Sequence, residues 1–380
     1  MPNQSPEDEY AGYALNIFEP VLQGSRWTAN LTSAADNWKR SIVRMGGFWE
    51  GGFKLRETRG YLEDFFYTQL GAHLEEKYAG AVTWEGFVGE MDTPARDRDG
   101  WYMDVSVFGY SHTLPFRYVS IGDETTGNAS IWVDEIITAD CEYVTARAIS
   151  TNTLQVLRSN KNKPRAWDEL KRIAELGDGT GAPWVIRMDP GRRFVYQAED
   201  TSVQYYVRGG VRRRRSLFQT FNYVSGSYVG TDEETHDITP ASTAESIRRF
   251  GRIEERLYRD GMPSTAAEAL RDTYLKENSY PWPRPVGTDR EVKLFNSVGD
   301  QVGVSPWVIK PGIVRDLGYS IGGSDYGGWL ADQRDIMVDE VVASKKGVSL
   351  RTWLFEEADL METQFSYAAE TYELDYDLRD

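Results

Sequence analysis

Histidine and cysteine are the residues of this sequence that would point most directly to a metal site or to nucleophilic chemistry. The three histidines, His73, His112 and His236, lie far apart along the chain, and the single cysteine, Cys141, is not at ligand spacing from any of them. Structural zinc sites draw their His and Cys ligands from short, recurring spacings. The sequence therefore predicts no metal site and favours packing or surface roles for the histidines.

Paired carboxylates are the second chemical signal to weigh. Glycosidases cleave sugar bonds with two carboxyl groups placed about 5 to 10 Å apart. Glu85, Glu90 and Asp104 are the candidates for such a pair in this strand-rich, aromatic-rich chain. The sequence does not place any two of them together, and aromatic residues suit sheet packing equally well. A carbohydrate-active enzyme is therefore kept as an alternative.

A glycine-rich segment, Gly-Asp-Gly-Thr-Gly at residues 177–181, invites comparison with phosphate-binding loops. It lacks the Gly-Lys-Ser/Thr ending that holds phosphates, and it follows a predicted helix where a phosphate-binding loop would follow a strand. We interpret the segment as a turn. With no catalytic constellation visible, we expect no catalytic residues and no cofactor.

Four consecutive arginines, Arg212, Arg213, Arg214 and Arg215, form the one concentrated basic run in the chain. On a strand, successive side chains would point to alternate faces, so two arginines would lie on each side. Such a run is most often a solvated face. The sharper interpretation is a contact with an acidic neighbouring subunit, and these four residues are our candidate subunit contact.

Composition limits the class of protein. With 380 residues, 40% hydrophobic and 27% charged, the chain resembles ordinary soluble globular proteins with room for two or three cores. It contains 12 Trp and 22 Tyr, which suit β-sheets and large contact surfaces. We therefore expect many strands and extensive interfaces.

Charge and targeting signals narrow the class further. The chain carries 59 acidic and 43 basic residues, a formal charge of −16, which argues against binding nucleic acid through its phosphates. A conduit through which DNA slides would suit such a charge. The polar, acidic start does not resemble a signal peptide, and no apolar run is long enough for a membrane helix. We expect a protein made in the cytoplasm, without a membrane anchor.

The spacing of apolar residues predicts the elements. Residues 14–118 alternate as strands, with one helix from Tyr61 to Leu70. Helical periodicity follows at residues 131–152 and 163–176, and then a hairpin turns around Pro190-Gly191. A capping box at Ser242 predicts a helix to Leu257, and a second helix runs from Ser264 to Asn278. Short strands fill residues 203–230 and 291–355.

Three of these patterns resemble the tail hub, or baseplate hub, family of tailed phages. The first is the helix ending at Leu70-Gly71 followed by the strand Trp84-Glu-Gly-Phe-Val. The second runs from Trp167-Asp-Glu-Leu to Gly191-Arg-Arg-Phe-Val-Tyr, and the third is Ala244-Glu-Ser-Ile-Arg-Arg-Phe-Gly with the alanine-rich helix after it. Their order and spacing, over roughly residues 40–360, carry the resemblance.

This resemblance implies an α+β, β-rich fold in which two tube-like antiparallel β-barrel or sandwich domains flank a mainly helical insert. The implied organisation is a flexible N-terminus at 1–12, a first tube-like β-domain at 13–120, a helical and hairpin middle domain at 121–202, a second tube-like β-domain at 203–365 with the helix pair 242–278, and an acidic C-terminal tail at 366–380.

The resemblance also implies a function. Hub proteins of this family assemble as homotrimers, so that six similar domains match the hexameric tail tube while the threefold side meets a spike or fibre. The implied partners are the tail tube, distal tail, tape-measure and spike or fibre proteins, and DNA passes without specific binding. A distal tail protein, which forms a hexameric ring with a host-binding role, is the alternative within tails.

Overall fold

Strands of alternating apolar and polar residues run through most of the chain, and the β-rich α+β class is confirmed. The computed structural model describes residues 13–21, 26–180, 184–200, 202–207, 211–214, 217, 220–232, 234–259, 261–280, 284–288, 294–295, 311–316, 334–338, 340–344, 347–352 and 370–374. The predicted flexible segment 1–12 lies outside these residues.

The strands and helices are numbered in chain order. The strands up to residue 198 are β1 Tyr13–Phe18, β2 Trp27–Asn30, β3 Ala35–Val43, β4 Gly46–Arg56, β5 His73–Tyr78, β6 Ala81–Met91, β7 Ala95–Asp97, β8 Gly100–Phe108, β9 Thr125–Asn128, β10 Ala146–Ile149, β11 Gln155–Arg158, β12 Trp184–Asp189 and β13 Arg193–Ala198. The later strands are β14 Val203–Val207, β15 Val211–Arg214, β16 Tyr223–Val229, β17 Thr235–Ser242, β18 Glu254–Arg259, β19 Arg284–Thr288, β20 Leu294–Phe295, β21 Gly312–Asp316, β22 Arg334–Val338, β23 Glu340–Ser344, β24 Gly347–Thr352 and β25 Glu370–Leu374. The helices are α1 Arg59–Thr68, α2 Ala129–Asp140, α3 Ala166–Glu175, α4 Ala244–Phe250 and α5 Ser264–Asn278, with a 3-10 helix at Tyr110–Phe116.

A large mixed sheet joins strands from all three predicted domains. Its main order is β2-β1-β5-β6-β8-β4-β3-β23-β24-β25. The predicted hairpin, β12 and β13, is confirmed, and it joins this sheet where β12 runs parallel to β4 at Gly46 and Gly47. Gly47 has a φ of +77°, and a Cβ there would lie 2.4 Å from the Met188 carbonyl oxygen. The hairpin therefore docks where only glycine allows the backbones to approach.

Helix α1 closes one face of this sheet and confirms the predicted helix. The Thr58 hydroxyl accepts a hydrogen bond from the Tyr61 N–H and so caps its first turn. Leu62 and Phe65 point into a core built entirely from residues 13–107. The first part of the chain thus has its own hydrophobic core.

A buried ion pair lies inside that core. Arg40 Nε is 2.5 Å from Glu76 Oε2, and both side chains are fully excluded from solvent. The same carboxylate accepts bonds from Trp38 Nε1 at 2.5 Å and from the Thr83 hydroxyl at 2.8 Å. The Trp38 ring packs edge-on against Trp84, with centroids 5.6 Å apart. The charged group is thereby built into the aromatic core and fixes β3, β5 and β6 relative to one another.

A second core extends from Tyr110 to Tyr274 and crosses the predicted boundary at residue 202. It is formed by the 3-10 helix, α2, α3, the hairpin and the three-stranded sheet β17-β16-β18, on which α5 packs. The predicted middle segment is mixed rather than mainly helical, because β9 precedes its two helices, β10 and β11 lie between them, and β12 and β13 follow them. The tube-like closure of the two β-domains stays a prediction.

The predicted helix from Ser242 to Leu257 is wrong in its bounds. Helix α4 ends at Phe250, because Gly251 adopts a φ of +79° and stops it. The next residues form β18, which pairs in parallel with β16. Thr243 is the N-cap, and no side-chain cap bond forms there. Strand pairing therefore overrides the helical spacing, and only the second member of the predicted pair, α5, is a helix over its full predicted length.

Two further predictions change at their ends. The helical periodicity at 131–152 corresponds to α2, which ends at Asp140, and to β10, which runs parallel to β13. Part of the predicted acidic tail, Glu370–Leu374, forms β25 and pairs with β24. In both cases the segment pairs with the edge of a sheet. The sequence had predicted a helix for the first segment and an acidic tail for the second.

The buried ion pair yields a stability prediction. Replacing Glu76 by Leu removes the carboxylate beside a buried guanidinium, and we expect a loss of about 3–5 kcal/mol in the free energy of unfolding. Replacing Arg40 by Met in the same chain should recover most of that loss, because both charges are then absent. Urea unfolding measures both.

A surface pair is the matched control. Glu63 pairs with Arg59 on α1, where their side chains are 46% and 62% exposed, and Glu63→Leu should cost at most about 0.5 kcal/mol. If Glu76→Leu were as mild as Glu63→Leu, the ion pair would not hold the core together.

Candidate functional site

A polar junction connects the first sheet to the hairpin. His73 and Glu75 lie two residues apart on β5 and therefore share one face of the sheet. Glu85 lies directly opposite Glu75 on β6. Two glutamates facing each other across strands repel, and both His73 and Glu85 are buried. The arrangement requires specific compensation.

Glu75 is compensated by its neighbours on the same strand. His73 Nε2 lies 3.2 Å from Glu75 Oε1, and Lys77 Nζ lies 2.8 Å from Glu75 Oε2. The bond from His73, together with Lys77, lowers the pKa of Glu75 to about 2, against the opposing effect of its burial. His73 Nδ1 is 2.8 Å from the Tyr110 hydroxyl, which orients the ring. Glu75 is therefore held as a carboxylate.

Glu85 is compensated by backbone instead. Its Oε1 accepts a hydrogen bond from the Arg192 N–H at 2.5 Å, within the hairpin turn. Burial raises the pKa of Glu85, and the bonds from the backbone N–H groups of Arg192 and Gly191 oppose that shift. The Arg192 guanidinium lies 5.7 Å from the centre of the Tyr110 ring. Glu85 thus anchors the hairpin turn to the first sheet.

His73, Glu75 and Glu85 are of residue types that bind metal ions, although the sequence predicts no metal site. One ligand atom from each of His73, Glu75 and Glu85 lies within 4.8 Å of the other two. An exposed second group contains Asp232, Glu234 and His236. Lys77 already engages Glu75, and the hairpin turn engages the buried Glu85, so we assign the junction a structural role. Sequence reasoning missed it because cross-strand register cannot be read from spacing.

His112 has a packing role, in agreement with its prediction. Its ring lies 4.0 Å from Trp49 and 5.1 Å from Phe108, centre to centre. Burial lowers its pKa to about 4, so the ring is neutral at physiological pH. The part of the chain that the structure describes brings none of the three histidines together.

The carboxylates nominated for sugar cleavage lie in two different settings. Glu85 accepts a hydrogen bond from the backbone of the hairpin turn. Glu90 and Asp104 are exposed and lie near each other on β6 and β8. Asp104 also lines a shallow cleft of about 490 Å³ with Glu50. Glu50 and Asp104 are four positions apart in the β4–β8 register, about 13 Å along the strands, so these two are farther apart than the glycosidase separation. A glycosidase also holds its acid in an apolar pocket, which an exposed residue lacks.

The arginine run lies partly on a strand. Arg212, Arg213 and Arg214 belong to β15, which pairs with β19, and Arg215 lies outside the described residues. The glycine-rich segment is a turn after α3, as predicted, over residues 177–180. The subunit contact at the arginine run stays a prediction.

Large apolar side chains are exposed at several places on the described surface. The most exposed is Tyr67 at the end of α1, at 81%, followed by Leu70 at 61%. The others are Tyr61, Phe116, Tyr118, Ile131, Leu217 and Tyr258. Exposed aromatic clusters mark contact surfaces in soluble proteins. Among the described helices, none is long and apolar enough to cross a membrane.

The fold is that of phage tail proteins. No protein-family model matches the chain, and no curated protein is significantly similar in sequence. The tail protein from Neisseria meningitidis MC58 is 10% identical with a TM-score of 0.56, over 88% of this chain and 92% of that one. Prophage tail protein gp18 from Listeria monocytogenes EGD-e is 11% identical with a TM-score of 0.52, over 87% and 90%. The 43 kDa tail protein of prophage MuSo2 from Shewanella oneidensis is 11% identical with a TM-score of 0.51, over 88% and 92%.

The junction yields a pH prediction. Because the folded pKa of Glu75 lies near 2 and below its ordinary value of 4.5, Glu75 stabilises the fold above pH 4.5 and loses this effect as the pH falls towards 2. Glu75→Gln should therefore lower the melting temperature at pH 7, and the gap to the natural chain should close between pH 4.5 and 2. The exposed Glu90→Gln is the control and should show no such gap. A gap that stays constant across this range would contradict the role of Glu75.

Proposed function

We propose that this protein is a structural component of a phage virion, located at the tail tip. It forms a hub ring that closes the tail tube and couples it to the host-contacting tip. The observation that carries the proposal is the likeness to three tail proteins over nearly the whole length of each chain. A shared domain fragment would not give such coverage.

The proposed ring is a homotrimer. Two β-domains in each copy would give six similar domains, matching a sixfold tail tube above, while the threefold axis meets a spike or fibre below. In this proposal the strands of the mixed sheet up to β8 belong to the first domain, and the three-stranded sheet β17-β16-β18 belongs to the second. The tail tube, distal tail, tape-measure and spike or fibre proteins are the proposed partners.

The proposed ring also lines the path of the ejected DNA. A net charge of −16 disfavours attachment of the phosphate backbone, because binding of that kind depends on clustered Lys and Arg. DNA would then pass without being held. The function is association rather than catalysis, and the polar junction and the buried ion pair serve rigidity.

The mass of the purified chain in solution tests this proposal. Light scattering over a range of concentrations should give three times the chain mass of 43.2 kDa. A hexamer would favour a distal tail protein instead. A strict monomer at all concentrations would contradict the hub and return attention to the carbohydrate-active enzyme.

A further inference from the structure

The turn between β16 and β17 gathers three metal-ligating side chains at the surface. Asp232 lies in the turn, Glu234 follows it, and His236 is the second residue of β17. One ligand atom from each residue lies within 4.8 Å of the other two. The side chains of Asp232 and His236 are 54% and 38% exposed, so an ion from solvent can reach them. One imidazole and two carboxylates are ligand types that zinc accepts.

The two carboxylates of this group are not neutralised by a basic side chain other than the histidine. In the part of the chain that the structure describes, neither Asp232 nor Glu234 forms an ion pair with a lysine or an arginine. The polar junction on β5 differs, because a lysine there lies 2.8 Å from one of its glutamates. With a neutral imidazole the surface group carries two negative charges, and a divalent cation would balance them.

The distances between the ligand atoms suit a small ion. Zinc binds nitrogen and oxygen at about 2.0–2.2 Å in a tetrahedral arrangement, which places two ligand atoms roughly 3.3 Å apart. Asp232 Oδ2 and His236 Nε2 are already close to this separation, at 2.9 Å. The His236 ring stacks on Tyr228, its cross-strand neighbour on β16, with ring centres 5.3 Å apart. The imidazole is therefore oriented before an ion binds.

Gly230 gives these ligand atoms their room. A Cβ at this position would lie 2.3 Å from Asp232 Oδ1 and 3.0 Å from His236 Nε2, so any side chain would crowd both ligands. The Glu234 N–H donates to Asp232 Oδ1 at 3.1 Å and holds that carboxylate beside the glycine. The turn thus combines the ligands with a glycine that leaves their meeting point accessible.

We propose that Asp232, Glu234 and His236 bind one Zn²⁺ ion and leave a further coordination position to water. Imidazole favours zinc over Ca²⁺ and Mg²⁺, which prefer oxygen ligands. The bound ion ties the turn to β17 and stabilises the folded chain in proportion to its occupancy. His and Cys spacing does not reveal this site, because two of its three ligands are carboxylates. The inference does not depend on the proposed function.

Zinc binding to the untagged full chain tests the site. Competition with a chromophoric chelator measures stoichiometry and affinity, and melting curves with and without Zn²⁺ measure stabilisation. We expect one Zn²⁺ per chain and a melting temperature that rises with Zn²⁺ concentration. His236→Ala and Glu234→Gln should each weaken binding at least about tenfold, since even residues that only support metal ligands contribute about 10- to 100-fold. Gly230→Ala should also weaken binding, although all three ligands remain.

Two control variants leave the ligands in place. Asp237 is exposed on β17 directly after His236, and its side chain points to the opposite face of the strand. Asp237→Asn should bind Zn²⁺ as the natural chain does. Glu75→Gln changes the polar junction, which also combines one histidine with two glutamates, and it should leave Zn²⁺ binding unchanged. Circular dichroism establishes that each variant is folded.

The outcomes decide the assignment. A natural chain that binds no Zn²⁺ overturns it, and so does binding that survives both His236→Ala and Glu234→Gln. Loss of binding in Asp237→Asn would also overturn it, because surface carboxylates in general would then hold the ion. Loss in Glu75→Gln with retention in His236→Ala would assign the ion to the polar junction instead. Displacement of Zn²⁺ by Ca²⁺ at equal concentration would contradict an imidazole ligand.

Discussion

The ion pair between Arg40 and Glu76 is the interaction on which the rest of the structure depends. A charge pair without solvent access is tolerated only when further hydrogen bonds satisfy it, and here Trp38 and Thr83 donate to the same carboxylate. The pair fixes β3, β5 and β6 in register. That register in turn places Glu75 opposite Glu85, and Glu85 anchors the hairpin turn. The Arg40–Glu76 ion pair therefore also supports the polar junction between the two cores.

The strong negative charge imposes a second constraint on any assembly of copies of this chain, because like-charged copies repel one another. Buried charges do not help, since they are neutralised within the chain. An excess of acid of this size makes local charge complementarity necessary at any contact between copies.

The sequence predicts those elements well whose signals are local. The helix at α1, the hairpin around Pro190-Gly191 and the helix α5 follow from capping, turn residues and periodicity. Predictions fail where a sheet edge is available, as at β18 and β10, because strand pairing is decided by partners distant in the sequence. For the same reason the polar junction could not be predicted, since Glu75 meets Glu85 only through cross-strand register. The tail-like fold was indicated by the order of weak motifs rather than by any single one.

The most direct measurement of the central claim is the symmetry of the assembled particle, by cryo-electron microscopy of the purified chain. We predict a closed ring with three copies around a central opening, in which six β-domains alternate around the axis. A ring of six copies, or an assembly without a central opening, would contradict a hub that joins a sixfold tube to a threefold tip.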